Sequence, residues 1–218
     1  FVIFGELIGP RIGDMDGIAY IQYIVPGLVM MSVITNSYMN VCSSFFGNKF
    51  QRNIEEMLVS PMPNYAILAG YVCGGMIRGL AIGVLVILVS LFFTELEIYH
   101  WGLTLLIAIF TATLFSLAGF VNGIFAKKFD DISLVPTFVL TPLTYLGGVF
   151  YSIDLLPDFW RYFSYFSPVF YIVNGFRYGM LGVADVPISY ALLIIFGAVL
   201  ILYAFSMWLL HRGIGIKN

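Results

Sequence analysis

The sequence predicts an all-α fold, a polytopic membrane helix bundle, and three observations carry that reading. Of 218 residues, 61% are hydrophobic and only 10% are charged, against roughly 25% charged residues in a soluble domain. Mean hydropathy is +0.97. Several apolar runs are each long enough to cross the roughly 30 Å of hydrocarbon in a bilayer. The whole chain, 1–218, reads as one transmembrane domain surrounded by lipid. A net charge of −2 gives nucleic acid no electrostatic reason to bind.

Residues 1–5, F-V-I-F-G, read as the end of a membrane helix whose beginning is missing. They lack the basic start and small-residue cleavage site of a signal peptide. Residues 6–17 form a short polar loop with Arg11, Asp14 and Asp16. A long span from about Ile18 to Phe46 follows, with Pro26 placed to kink it near one end. Thr35, Asn36, Ser37, Asn40, Ser43 and Ser44 are poor choices against lipid, so they face other helices or a water-filled path. Cys42, and Cys73 in the next span, lie in apolar runs and read as free core thiols, with no disulfide framework or metal cluster.

Residues 47–63, G-N-K-F-Q-R-N-I-E-E-M-L-V-S-P-M-P, are the longest polar interruption in the middle of the chain. Lys49, Arg52, Glu55 and Glu56 fall on a short helical segment, which Ser60-Pro61 and Met62-Pro63 stop. On that helix Ile54, Met57 and Leu58 share one face. Two readings stand: an amphipathic helix that touches a soluble partner, or a solvated loop whose charges only fix topology.

The next span, about Asn64 to Phe93, spaces Gly75, Gly79 and Gly83 by four, and Gly70 and Gly74 likewise. Small residues at that spacing let two helix backbones approach closely, within one chain or between two. Arg78 in this span is either a functional charge or an arginine near the inner end that snorkels to the headgroups. A turn with Glu95 and Glu97 leads to a span from about Trp101 to Phe125, carrying Gly119, Asn122 and Gly123. Asp130 and Asp131, in the tight turn A-K-K-F-D-D, supply negative charge to the start of the helix that follows. That span, about Ile132 to Tyr151, should be kinked or broken by Pro136 and Pro142 and ends in Gly147-Gly148. Residues 152–187 mix Asp154, Asp158, Arg161, Asn174 and Arg177 with dense aromatics, the pattern of interfacial or re-entrant helices. The last span, about Ile188 to Leu210, is followed by His211, Arg212 and Lys217.

Loop alternation collects Lys49, Arg52, Lys127, Lys128, Arg212 and Lys217 on one side. The excess of Lys and Arg in short loops marks that side, with the 47–63 loop and the C-terminus, as cytoplasmic. The chemistry of a catalyst is absent: there is no phosphate-binding G-x-x-x-x-G-K-[ST], no H-E-x-x-H and no G-x-S-x-G. His100 and His211 lie on opposite sides of the membrane and cannot share a metal. No catalytic residue, metal site or cofactor is expected in this chain.

The stretch F-Q-R-N-I-E-E-M-L-V-S-P, residues 50–61, resembles the cytoplasmic coupling segment of type-2 ABC export permeases, bacterial inner-membrane proteins. Arg52 falls on the family's Arg, Glu55 on its Glu and Ser60-Pro61 on its Ser-Pro. Pro136, Pro142, Gly147-Gly148-Val149-Phe150, Leu156-Pro157, Pro168, Tyr171 and Arg177 follow the order of that family's C-terminal signature. The resemblance implies six membrane helices, the first truncated here, with re-entrant or interfacial helices before the last. It also implies a homodimer driven by a separate ABC ATPase subunit, which binds the ATP and Mg. In such a permease Arg52, Ile54, Glu55, Glu56, Met57, Leu58, Ser60 and Pro61 would couple to the ATPase. Glu55 and Glu56 would meet its basic residues, while Ile54, Met57 and Leu58 seat the helix. Gly75, Gly79 and Gly83 would pack helices or the dimer, and Arg78, Asn36, Asn40, Tyr145 and Arg177 are candidates for a substrate path.

The function this implies is ATP-driven export, by alternating access, of a hydrophobic or amphipathic substrate such as a lipid, a lipid-linked glycan or a drug. The aromatic segment either shields that substrate as it leaves or only anchors the fold at the interface. A secondary transporter or channel not driven by ATP is the rival class. It needs intramembrane carboxylates for ion coupling, and every acidic residue here maps to a loop or a helix end. A membrane scaffold is the third reading, and it leaves the 50–61 motif unexplained.

Overall fold

The computed structural model describes residues 2–3, 9–15, 17–54 and 62–215, with Asp154 described by its backbone alone. One helical turn, α1 (Gly9–Ile12), and a two-residue antiparallel hairpin, β1 (Asp14–Met15) with β2 (Ile18–Ala19), lead into the bundle. Gly13 and Gly17 take positive φ at its turns. Among the described residues four helices are long and apolar enough to cross a membrane: α2 (Tyr20–Phe50), α3 (Asn64–Ser90), α4 (Trp101–Phe125) and α9 (Ile188–Arg212).

Between α4 and α9 the chain is broken where its prolines predict. Helix α5 (Phe129–Val135) runs into a wider turn, Pro136–Leu140, and then α6 (Thr141–Leu146). Pro136 and Pro142 bring no N–H, so the ladder loosens by one residue and the amide of Thr141 reaches back to the carbonyl of Pro136. The Asp131 carboxylate accepts the amides of Lys127 at 2.8 Å and Lys128 at 3.0 Å, the helix-start role expected of it. A 3-10 turn (Ile153–Leu155), α7 (Asp158–Tyr165) and α8 (Pro168–Leu181) then precede α9. The Ser167 side chain caps α8 by accepting from the Val169 amide, and Gly182 ends it in the left-handed conformation.

Helix α2 is the centre of the bundle. Its most apolar stretch is 61% buried, against 22% for α3 and 11% for α9. Glycines on both neighbours let it in. A Cβ on Gly79 of α3 would stand 1.8 Å from the Ser37 hydroxyl oxygen, and one on Gly119 of α4 would stand 2.3 Å from the Tyr38 carbonyl oxygen. Gly75 and Gly83 face the same side of α2, against Val41 and Val33. The Gly75–Gly79–Gly83 face therefore packs within the chain. Gly70 has open space where its Cβ would be, and Gly74 has only the Asn40 amide at 3.8 Å. Leu193 and Ile201 of α9, about 70% exposed, belong to an apolar surface of the kind that suits the hydrocarbon of a bilayer.

Cys42 is buried in this core and accepts from the Asn122 amide at 3.2 Å. Cys73 is exposed on α3, contrary to its reading as a core thiol. An apolar run gives the depth of a residue in the membrane, whereas the helix face decides whether it is covered.

Candidate functional site

The bundle has a basic end and an aromatic end. At the basic end α2 closes with Phe46 and Phe50 packed edge-on against Phe129. The Lys49 ammonium donates to the carbonyls of Ile124 and of Ala126 at 3.2 Å. It thereby satisfies groups that the end of α4 leaves unpaired, where a cation also suits the helix dipole. Asn48 donates to the Tyr71 hydroxyl at 2.7 Å and ties the same turn to α3.

The sequence places Lys49, Arg52, Glu55 and Glu56 on one short helix; the backbone parts Lys49 from Arg52. Helix α2 ends at Phe50, and Arg52 takes φ +63°, a left-handed conformation that breaks one helix before the next can start. Arg52 is exposed at this corner and Ile54 is 5% exposed, packed into the core of the chain itself. Ile54 thus packs against its own bundle. Glu55, Glu56, Met57, Leu58, Ser60 and Pro61 lie outside the described residues.

A polar face runs along the open side of α2. Thr35, Ser43 and Ser44 are exposed, and Ser32, Asn36 and Asn40 are half-buried. Most of these side chains bond to the carbonyl one turn back: Ser32 to Leu28, Thr35 to Met31 and Asn36 to Ser32, each at 2.9 Å, and Ser43 to Met39 at 2.7 Å. That bonding keeps a hydroxyl or amide satisfied without water. Ser37, on the opposite side, is buried against Gly79.

Across the seam, Arg78 of α3 is exposed and donates to Asn40 Oδ1 at 3.2 Å. It lies about 21 Å from the start of α3 and about 18 Å from its end, at 1.5 Å per residue, so it stands near mid-depth rather than near the inner end. The inner-end snorkelling reading fails on that depth. Towards the aromatic end the same seam opens into a groove of about 430 Å³ lined by Leu28, Met31, Ser32, Thr35, Asn36 and Val86.

At the aromatic end Arg177, a candidate for the substrate path, is buried inside the chain. Its side chain is 2% exposed, stacks 4.0 Å over the Tyr23 ring, donates to the Gly148 carbonyl and lies 3.6 Å from the Asp185 carboxylate. Asn174, one turn back, accepts the Asp185 amide at 2.6 Å and donates to the Val186 carbonyl at 3.1 Å. Gly148 takes φ +74°, which only glycine adopts cheaply, and so aims that carbonyl. Arg177 is therefore a buried fastener between α8 and the Gly147-Gly148 turn. Tyr145 is 46% exposed and stacked on Phe150, whose carbonyl accepts from Tyr20 at the start of α2. Asn40 lies about 30 Å further along that helix, so the structure brings Arg78, Asn36 and Asn40 together and leaves Tyr145 apart. Sequence reasoning missed Asp185 as the partner of Arg177 and Asn174 as the residue that holds the Asp185 backbone; the only signal was polar residues in an aromatic stretch.

The model of a family described as "ABC-2 type transporter" matches residues 1–181. The chain is 58% identical over 220 residues to the inner membrane transport permease YadH of Escherichia coli K12, covering 100% of this chain and 85% of that protein. It is 26% identical over 215 residues to nodulation protein J of Rhizobium leguminosarum bv. viciae, covering 95% of this chain and 81% of that one. A further nodulation protein J, from Rhizobium meliloti, is 25% identical over 181 residues, covering 82% and 68%.

Proposed function

Because this chain belongs to the ABC-2 type transporter family, and so is the multi-pass inner-membrane component of an ABC transporter that works with an ABC ATPase subunit, we propose that it is an export permease for a hydrophobic or amphipathic substrate. Two copies form the pathway, and the ATPase subunit holds the ATP and Mg. The basic end faces the cytoplasm, as the excess of Lys49, Arg52, Lys127, Lys128 and Arg212 supports. The C-terminus of α9 lies on that side.

The observation that carries this reading is the polar face of α2 beside Arg78. A stripe of Thr35, Asn36, Asn40, Ser43 and Ser44 on the open side of a membrane helix suits an amphipathic occupant better than bulk lipid. A second copy set against it encloses a polar path. Closing of the ATPase dimer pushes on the 51–61 segment, whose first residues Ile54 packs against the bundle beside Lys49, so the push moves α2 and α3 together. Glu55 and Glu56 supply the charge that the ATPase subunit recognises.

The test is purification of the protein in mild detergent, wild type beside Glu55→Lys/Glu56→Lys, with identification of co-eluting subunits. An ATPase subunit in stoichiometric amount, lost in the variant, supports the reading. A folded dimer without ATPase in either form overturns it.

A further inference from the structure

The seam between α2 and α3 carries an arginine, Arg78, that has no anionic partner among the described residues. Among the described residues Arg78 makes one hydrogen bond, to the neutral amide of Asn40, and no ion pair. The spans themselves have no carboxylate to give: α2, α3, α4 and α9 contain neither Asp nor Glu. A second copy of these helices adds none. A guanidinium near mid-depth is costly unless something neutralises it or it reaches water, and its fork of donors matches a phosphate or a carboxylate.

The geometry says what else the ligand must carry. The antiparallel register that sets Asn40 against Arg78 also sets Asn36 against Ile82 and Ser32 against Val86. The groove lined by Leu28, Met31, Val86 and the polar edge of Ser32, Thr35 and Asn36 therefore continues from Arg78 along one seam. Apolar walls and hydroxyls already bonded to their own backbone offer an acyl or isoprenoid chain a surface that does not demand hydrogen bonds. We infer that the α2–α3 seam takes an amphiphile whose anionic head, a phosphate or a carboxylate, pairs with Arg78 while its apolar chain lies in the groove toward the aromatic end. This rests on the permease reading and gives it a substrate class: anionic amphiphiles, taken as cargo. Gly74, whose missing side chain leaves room beside the Asn40 amide, opens the floor at the head position.

The experiment uses the complex of permease and ATPase subunit in phosphatidylcholine nanodiscs. Its probes are a fluorescent dodecyl phosphate and a fluorescent dodecyl maltoside of the same chain length. Wild type should prefer the phosphate-headed probe by about tenfold or more, the range of a hydrogen-bonded charge. Arg78→Gln should lose that preference with the maltoside affinity unchanged, and Arg78→Lys should keep most of it. ATP should speed release of the phosphate-headed probe from wild type. An unchanged preference in Arg78→Gln overturns the assignment. So does displacement of the probe by phosphatidylglycerol with no response to ATP, which marks Arg78 as an anchor for resident lipid. The two readings fail differently: an ATPase subunit missing from the preparation sinks the permease, and an unchanged preference with the subunit present sinks only the anionic head.

Discussion

Arg177 on α8 and Asp185 in the loop before α9 meet at 3.6 Å, in a site where the arginine is also stacked on Tyr23 and bonded to the Gly148 carbonyl. Three chain segments thus close on one buried cation. Removing it leaves the carboxylate and the carbonyl behind, so Arg177→Met should cost about 3–5 kcal/mol, seen as a lower melting temperature of the detergent-purified protein. Asp185→Asn keeps a polar partner and should cost less. The double variant should show a coupling of about 0.5–3 kcal/mol. A stable Arg177→Met protein that fails only in transport would place this residue on the path.

Gly79 and Gly70 lie on the same helix, yet substitution should separate them. Gly79→Val drives a branched side chain into Ser37 and the Val33 carbonyl, and overpacking of that kind costs about 1–3 kcal/mol or more. Gly70 meets open space, so Gly70→Val should change monomer stability by no more than about 0.5 kcal/mol. Thermal melts of the two variants, read beside wild type, decide it. Equal losses would mean that the close approach of α2 to α3 is not what the glycines serve.

Lys49 joins the start of the 51–61 segment to the end of α4. Lys49→Met leaves the Ile124 and Ala126 carbonyls without their donor, at about 1–3 kcal/mol. The loss should be local: faster hydrogen exchange at the amides of 124–128 and in the last turn of α2, with the α3 core amides unchanged. Uniformly faster exchange would show a global role instead.

Helix existence, order and approximate ends were legible because membrane spans write themselves as long apolar runs; the span from Trp101 to Phe125 is the clearest case. The break at Pro136 and Pro142 was legible for the same local reason, a missing N–H. Partners across the bundle were not. An arginine among aromatics, as at Arg177, reads the same whether it faces a channel or a carboxylate eight residues on. Ile54 reads as part of a docking face because helical periodicity shows which residues share a side and not what covers it, here the core of the chain itself. The Gly75–Gly79–Gly83 face was legible as a packing face, but only its contacts with Ser37 and Val33 place it inside one chain.

The two sides of α2 should also differ in their access to water, which tests the path more directly than any stability measurement. Thr35 and Ser43 are exposed on the polar face, whereas Ser37 is fully buried against α3. With exposed Cys73 replaced by Ala, and Cys42 left in the core, a hydrophilic maleimide should label Thr35→Cys and Ser43→Cys in the assembled complex and spare Ser37→Cys. Lipid alone against this face would give a different pattern, since a thiol in hydrocarbon is neither ionised nor reached by a charged reagent. Labelling of Thr35→Cys and Ser43→Cys that rises or falls with ATP would tie the face to the transport cycle. Protection of all three positions would mean that the polar face of α2 is closed by packing and lines no path.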